Sequence, residues 1–296
     1  SAALRGIGDS RAPFYAVLLS SVVNVVLDLV FVAVFHWGVA GAAAATVLSQ
    51  IAMTLFLVLY GTRRYELLRI TFGRGLWDRK ALAAGCRFGI PPMLQSSVSS
   101  VGNLIPQNFM NGFGTQTVVA ITTAYRVDLI VMLPMLNLGS GISTLVAQQY
   151  GSGERRAARK ILAVGMALMA GVSLMMTALV IPSGGHLIAL FGAGEAAIEI
   201  GGDFFSRIAG FYLVYGLATA VRGYLEGIGD VVYSSCSGIA ALLFRILASY
   251  TMVSLFANRV IAYAEGFSWV LLLLLYLARM LWKERQFSLE DRTAHI

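Results

Sequence analysis

Apolar residues fill this chain in runs far longer than a soluble helix or strand needs, and polar residues gather in short intervals between them. The runs cover residues 13–36, 38–60, 86–111, 118–149, 159–182, 197–224, 232–257 and 261–282. Crossing a bilayer as a helix takes about 20 mostly apolar residues. Eight membrane-spanning helices are therefore predicted, and the fold class is all-α, a polytopic helical bundle. A phrase recurs within this pattern: Leu4–Asp9 reads LRGIGD and Leu225–Asp230 reads LEGIGD, each ahead of a pair of apolar runs. The Gly-rich turn predicts a helix break at the membrane surface in each copy. The duplication predicts an internal repeat, the architecture of transporters that rock two bundles about a binding site.

Composition agrees and narrows the setting. The chain is 58% hydrophobic and 12% charged, with a mean hydropathy of +0.76, whereas soluble domains carry about 25% charged residues. A net charge of +7 would suit nucleic acid if it were spread over a surface, but it is sorted by loop. Arg63, Arg64, Arg69, Arg74, Arg79, Lys80 and Arg87 fill or border one connection, Arg155, Arg156, Arg159 and Lys160 another, and Lys283 and Arg285 follow the last run. The alternate connections hold only Arg259. By the positive-inside rule the basic loops and both chain ends are expected on the cytoplasmic side, here of a bacterial inner membrane. The expected partner is the lipid bilayer and not nucleic acid. Cys86 and Cys236 show no CxxC spacing and read as packing residues.

The basic stretch 61–85 is the longest connection, has a weak amphipathic pattern and is the expected boundary between lobes. Residues 1–60 then form part of one lobe, 86–285 a second, and 286–296 a cytoplasmic tail. The N-terminal residues do not read as a signal peptide, and Ser1 is expected at the cytoplasmic end of an earlier helix. Pro91, Pro92 and Pro106, with Gly89 and Gly102, predict a bent third span, and Pro134 beside Gly139 and Gly141 a bent fourth.

Several polar side chains fall inside the apolar runs. Asn24 and Asp28 are four apart, on one helical face near mid-membrane. A carboxylate there costs about 2.5–3.5 kcal/mol on insertion scales, so it faces a cavity or a partner. With Thr46 on the next span the pair offers an all-oxygen set suited to Na⁺, and a desolvated Asp28 would hold a proton instead. An interhelical packing bond is the plainer alternative. Gln95, Ser96, Ser99, Asn103 and Gln107 form a polar stripe that lines either a helix interface or a substrate cavity. Tyr212 and Tyr215 on the sixth span add aromatic surface fit for flat organic cations. Arg126, Asp128 and Arg245 are candidates for a charge pair or switch; Arg126 would pair with Asp128 or with another helix, or snorkel to the interface. Each GIGD also fits the G-x-G-D pattern of intramembrane aspartyl proteases, but no Tyr-Asp partner motif occurs in the chain.

The stretches LRGIGDSRAPFYAVLLSSVVNVVLDLVFV, GVAGAAAATVLSQ, GIPPMLQSSVSSVGN and LPMLNLGSGISTLVAQQYGSGERRAARK together resemble the multidrug and toxic compound extrusion family. The resemblance covers nearly the whole chain. It implies a two-lobe bundle of twelve helices, of which the eight spans here correspond to helices five to twelve, the first four being missing. It implies a monomeric antiporter, not an enzyme, that exchanges organic cations for Na⁺ or H⁺ and needs no other cofactor. It places the coupling ion at Asn24, Asp28 and Thr46; the alternative site on helices seven and ten has Gln95 and Asn103 on the first and no mid-span acid on the second. A related flippase of lipid-linked precursors would keep the fold and change the cargo.

Overall fold

The computed structural model describes residues 1–69, 78–192 and 194–293, and every regular element among them is helical. The chain forms two compact units, residues 1–79 and 80–296. The division falls inside the connection expected at 61–85. Residues 70–77, on which much of that connection's amphipathic pattern lies, are outside the described residues.

The first unit contains α1 (Ala2–Gly6), α2 (Arg11–Asp28), a π-helical stretch Leu29–Val34 and α3 (Gly38–Arg64). Its helices pack through small residues. On α2 the buried positions Ala12, Ala16 and Ser20 recur every four residues, as do Gly41, Ala45 and Ser49 on α3. Rows of this spacing form helix ridges, and small side chains let two membrane helices approach closely where lipid offers no hydrophobic drive. Ser20 Oγ donates to the Ser49 carbonyl oxygen at 3.0 Å across the seam. Phe14, Val22, Val26 and Leu55 are exposed, as expected of side chains that meet hydrocarbon.

The second unit contains α4 (Arg79–Gly102), α5 (Leu104–Asn111), α6 (Thr115–Gly151), α7 (Arg155–Ala189), α8 (Glu195–Ile208), α9 (Tyr212–Gly227), α10 (Val231–Thr251), α11 (Val253–Phe256) and α12 (Val260–Thr293). Helices α6, α7 and α9 pack mutually, and α12 closes on α9 and α10. Their core holds Met135, Met169, Phe205 and Tyr212 in full burial. Main chains come close at Gly223 of α9, where an added Cβ would lie 2.6 Å from the Gly139 carbonyl oxygen of α6.

Among the described residues seven helical segments are long and apolar enough to cross a membrane. The remaining expected span, the third at 86–111, is helical but broken. Helix continues through Pro91, Pro92 and Pro134, and the interruption comes at Asn103 instead. Pro106 cannot bond the Gly102 carbonyl, and its ring crowds that oxygen, so the helix restarts as α5. A second interruption, the 3-10 turn Ala209–Phe211, splits the sixth span; Thr177 Oγ1 donates to the Ala209 carbonyl oxygen at 2.9 Å. In the tail expected from residue 286, α12 continues to Thr293. Glu284 anchors it through Arg159 at 2.6 Å and through the Tyr224 hydroxyl, and the Arg155 guanidinium lies over the Phe287 ring at 4.6 Å.

The repeated phrase folds twice into the same cap. Gly8 and Gly229 take φ of +93° and +90°. The Gly8 and Gly229 N–H groups donate to the Arg5 and Glu226 carbonyls, both at 3.0 Å, and the Asp9 and Asp230 N–H groups to Leu4 and Leu225 at 2.9 and 2.8 Å. These are paired Schellman closures, which need a left-handed residue where glycine stands.

Candidate functional site

Two groups of polar side chains sit inside spans, one in each unit. In the first unit the four-residue row Ala12, Ala16, Ser20 continues into Asn24 and Asp28. Asn24 Nδ2 and Asp28 Oδ1 are buried and have no hydrogen-bond partner among the described residues. Unsatisfied groups of this kind are costly, and in native structures they mark strain, function or an absent ligand. Asp28 is also the last α-helical residue before the π-helical stretch, a local geometry frequent at functional sites. Thr46 does not share this environment. It lies one residue beyond Ala45 of the buried α3 row, is exposed, and its hydroxyl donates to the Ala42 carbonyl at 2.9 Å. Of the three residues expected from sequence, Asn24 and Asp28 are half-buried on one row and Thr46 is exposed.

In the second unit the polar stripe of α4 and α5 divides. Gln95 accepts a long 3.5 Å bond from Arg222, whose Nε is held by Glu226 at 2.7 Å. Asn103, at the helix break, accepts a bond from Arg245 of α10. Ser99 and Gln107 are part-buried and flank the break, joined to Asn103 through main-chain bonds of 2.9 and 3.3 Å. The stripe therefore meets α9 and α10 as a helix interface at two of its five positions, Gln95 and Asn103.

Of the alternatives for Arg126, the pair with Asp128 does not form. Two residues apart on a helix they face different ways: Arg126 is exposed and Asp128 is 4% exposed. Asp128 Oδ1 instead accepts a 2.5 Å bond from the Tyr212 hydroxyl. Tyr212, expected on a cavity wall, is fully buried, with its ring 6.3 Å from that of Trp269; Tyr215 stands 4.8 Å from the same indole. Arg245 pairs with Glu265 of α12 at 3.1 Å. Glu265 escaped the sequence reading, although it is a lone acid within an otherwise apolar run and so carried the usual signal of an intramembrane functional group.

The GIGD aspartates have structural roles. Asp9 Oδ1 accepts the Arg11 and Ala12 N–H groups, both at 3.1 Å, and Oδ2 the Tyr65 hydroxyl at 2.9 Å. The Ala12 N–H and then the Tyr65 hydroxyl hold this carboxyl below the usual carboxylate range. Asp230 is clamped by Arg279 at 2.6 and 3.3 Å. Neither aspartate is presented as an activator of water.

Comparison with known proteins decides the family. Residues 91–251, more than half the chain, match the MatE family model. The chain belongs to the MatE family. It is a multi-pass membrane protein of a family of transporters, not of enzymes. It is 26% identical over 298 residues to the probable multidrug resistance protein YoeA of Bacillus subtilis, covering 96% of this chain and 64% of the relative. It is 25% identical over 270 residues to the multidrug export protein MepA of Staphylococcus aureus, covering 91% and 58%. Its fold matches an outward-facing multidrug resistance MATE transporter of the MOP superfamily with TM-score 0.86 at 20% identity, over 98% of this chain and 65% of that one. The MatE chain described here thus spans less than two thirds of the length of these relatives.

Proposed function

We propose that this MatE chain takes part in secondary active efflux, exporting organic cations in exchange for Na⁺ or H⁺ by alternating access in a bacterial inner membrane, as a monomer with both ends of the chain cytoplasmic. The names of the relatives support drug export as the cargo class. The observation that carries the coupling is local: one turn from Asn24, at an α-to-π transition, a buried carboxylate oxygen of Asp28 is left without a partner among the described residues. An inward-moving ion captured by Asp28 satisfies that oxygen and neutralises its charge. A state that binds the ion more tightly is then populated at the expense of the other, and only that difference in affinity can drive transport. One elementary charge moving down the membrane potential supplies about 2.3 kcal/mol per 100 mV, enough to concentrate a monovalent cation outward if the exchange carries net charge. The test is dye efflux from cells producing the protein with Asp28 intact or replaced by Asn. Loss of ion-dependent efflux with normal membrane insertion supports the reading; unchanged efflux contradicts it.

A further inference from the structure

Helix α7 docks on α6 and α9 through a buried face that includes Leu162, Gly165, Met169 and Ser173. The face left uncovered reads in one line. Arg156 and Lys160 come first, then Val164, Leu168, Met175 and Leu179, all exposed. Steps of four and seven residues keep these side chains on one side of the helix. From Lys160 to Leu179 the helix rises about 29 Å at 1.5 Å per residue, which matches a hydrocarbon core of about 30 Å. With the apolar line filling that core, the two cations stand at headgroup level, at the end of α7 next to its basic loop.

Neighbouring cations are engaged within the protein. Arg159 pairs with Glu284 at 2.6 Å, the Arg155 guanidinium lies over the Phe287 ring at 4.6 Å, and Arg279 and Lys283 stand 2.6 and 4.0 Å from Asp230. Arg156 and Lys160 make no hydrogen bond or ion pair with any described residue. Helix α7 contains no acidic residue, and cations in its first turns oppose the helix macrodipole, so the pair does nothing for the helix itself. Positive-inside sorting explains basic residues in the loop, but not an unneutralised pair aligned with a lipid-facing apolar line. We propose that Arg156 and Lys160 hold the phosphate of an anionic phospholipid of the phosphatidylglycerol type, with an acyl chain along Val164, Leu168 and Met175. Side chains four apart on a helix are neighbours, about 5–6 Å between Cβ atoms, so both reach one phosphate, arginine through paired N–H groups and lysine as a point charge. Basic sites at headgroup depth select anionic lipids in this way. A soluble phosphate would leave the apolar line unused, and a zwitterionic headgroup brings a cation of its own against these two. The site is independent of the efflux reading and is tested without transport.

The experiment titrates the purified protein in detergent with phosphatidylglycerol or phosphatidylcholine and reads bound lipid by native mass spectrometry. Three proteins are compared: the parent, an Arg156→Gln/Lys160→Gln double variant, and an Arg63→Gln/Arg64→Gln double variant that removes the same charge from α3. Phosphatidylglycerol is expected to bind the parent and the α3 variant alike and the α7 variant about thirtyfold more weakly, the combined effect of two basic residues near a membrane surface. Phosphatidylcholine should bind the parent more weakly and respond to neither change. A phosphatidylglycerol with a photoreactive diazirine in its acyl chain should label Val164 or Leu168 in the parent, and this arm decides the matter if the α7 variant fails to fold. The proposal is overturned by a loss that is absent or equal in the two double variants, by equal affinity of the parent for the two lipids, or by labelling confined to other helices. Displacement of the lipid by an equal concentration of glycerol phosphate also overturns it, since the ligand would then be a soluble anion.

Discussion

Tyr212 donates its hydroxyl proton to Asp128 across 84 positions of sequence, through a 2.5 Å bond in the fully packed interior of the second unit. The bond depends on the Ala209–Phe211 turn, immediately before Tyr212, and on the buried face of α6. Tyr212→Phe keeps the ring against Trp269 and strips Asp128 of its donor. The expected cost is about 1–3 kcal/mol, the penalty for an orphaned buried polar group, measured by thermal unfolding in detergent. Adding Asp128→Leu to Tyr212→Phe should recover part of that loss, because both ends of the broken bond are then apolar. Additive losses would show that the bond contributes nothing.

Gly223 allows α6 and α9 to touch. A methyl group there meets the Gly139 carbonyl oxygen at 2.6 Å, main-chain atoms that cannot rotate away. Gly223→Ala is expected to destabilise the protein by about 1–3 kcal/mol, the usual cost of overpacking. Gly171→Ala on α7, where nothing lies within 4 Å of the added carbon, should be neutral or slightly stabilising through helix propensity. Equal thermal midpoints for the two variants would refute the close contact.

Asp9 makes a pH-dependent cap. Its carboxyl is held below the ordinary value of 3.8 by the Ala12 N–H first and the Tyr65 hydroxyl next. A group whose value is lowered by folding stabilises the folded form above its unfolded value, and that contribution disappears as pH falls through the folded one. Hydrogen exchange at Arg11 and Ala12, corrected for intrinsic rate, should therefore show full protection near neutrality and lose it below about pH 4. Asp9→Asn should remove the pH dependence, and protection unchanged down to pH 2 in the parent would rule out the cap.

The spans and the duplicated turn were legible because both are written in local sequence: apolar length sets the spans, and a glycine at a left-handed position sets each cap. What one-dimensional spacing concealed was partnership. Arg126 and Asp128 are close in sequence and diverge on the helix, while Arg245 and Glu265 are 20 positions apart and meet. The prolines marked the third span as irregular, but the break falls at Asn103, where the ring of Pro106 takes effect four residues upstream. Thr46 looked suitable by residue type, yet the buried row of α3 runs through Ala45 and turns its neighbour outward. Tyr212 was read as cavity surface because an aromatic residue near a proposed cavity and one buried in a core carry the same letter; only packing separates them.

Ion-coupled dye efflux in cells carrying Asp28→Asn tests the central claim most directly. With Asp28 replaced and the protein still in the membrane, outward dye movement should fall to the leak rate and stop responding to an imposed Na⁺ or H⁺ gradient. Efflux that keeps its full rate and its gradient dependence would place the coupling ion somewhere other than the Asn24–Asp28 turn.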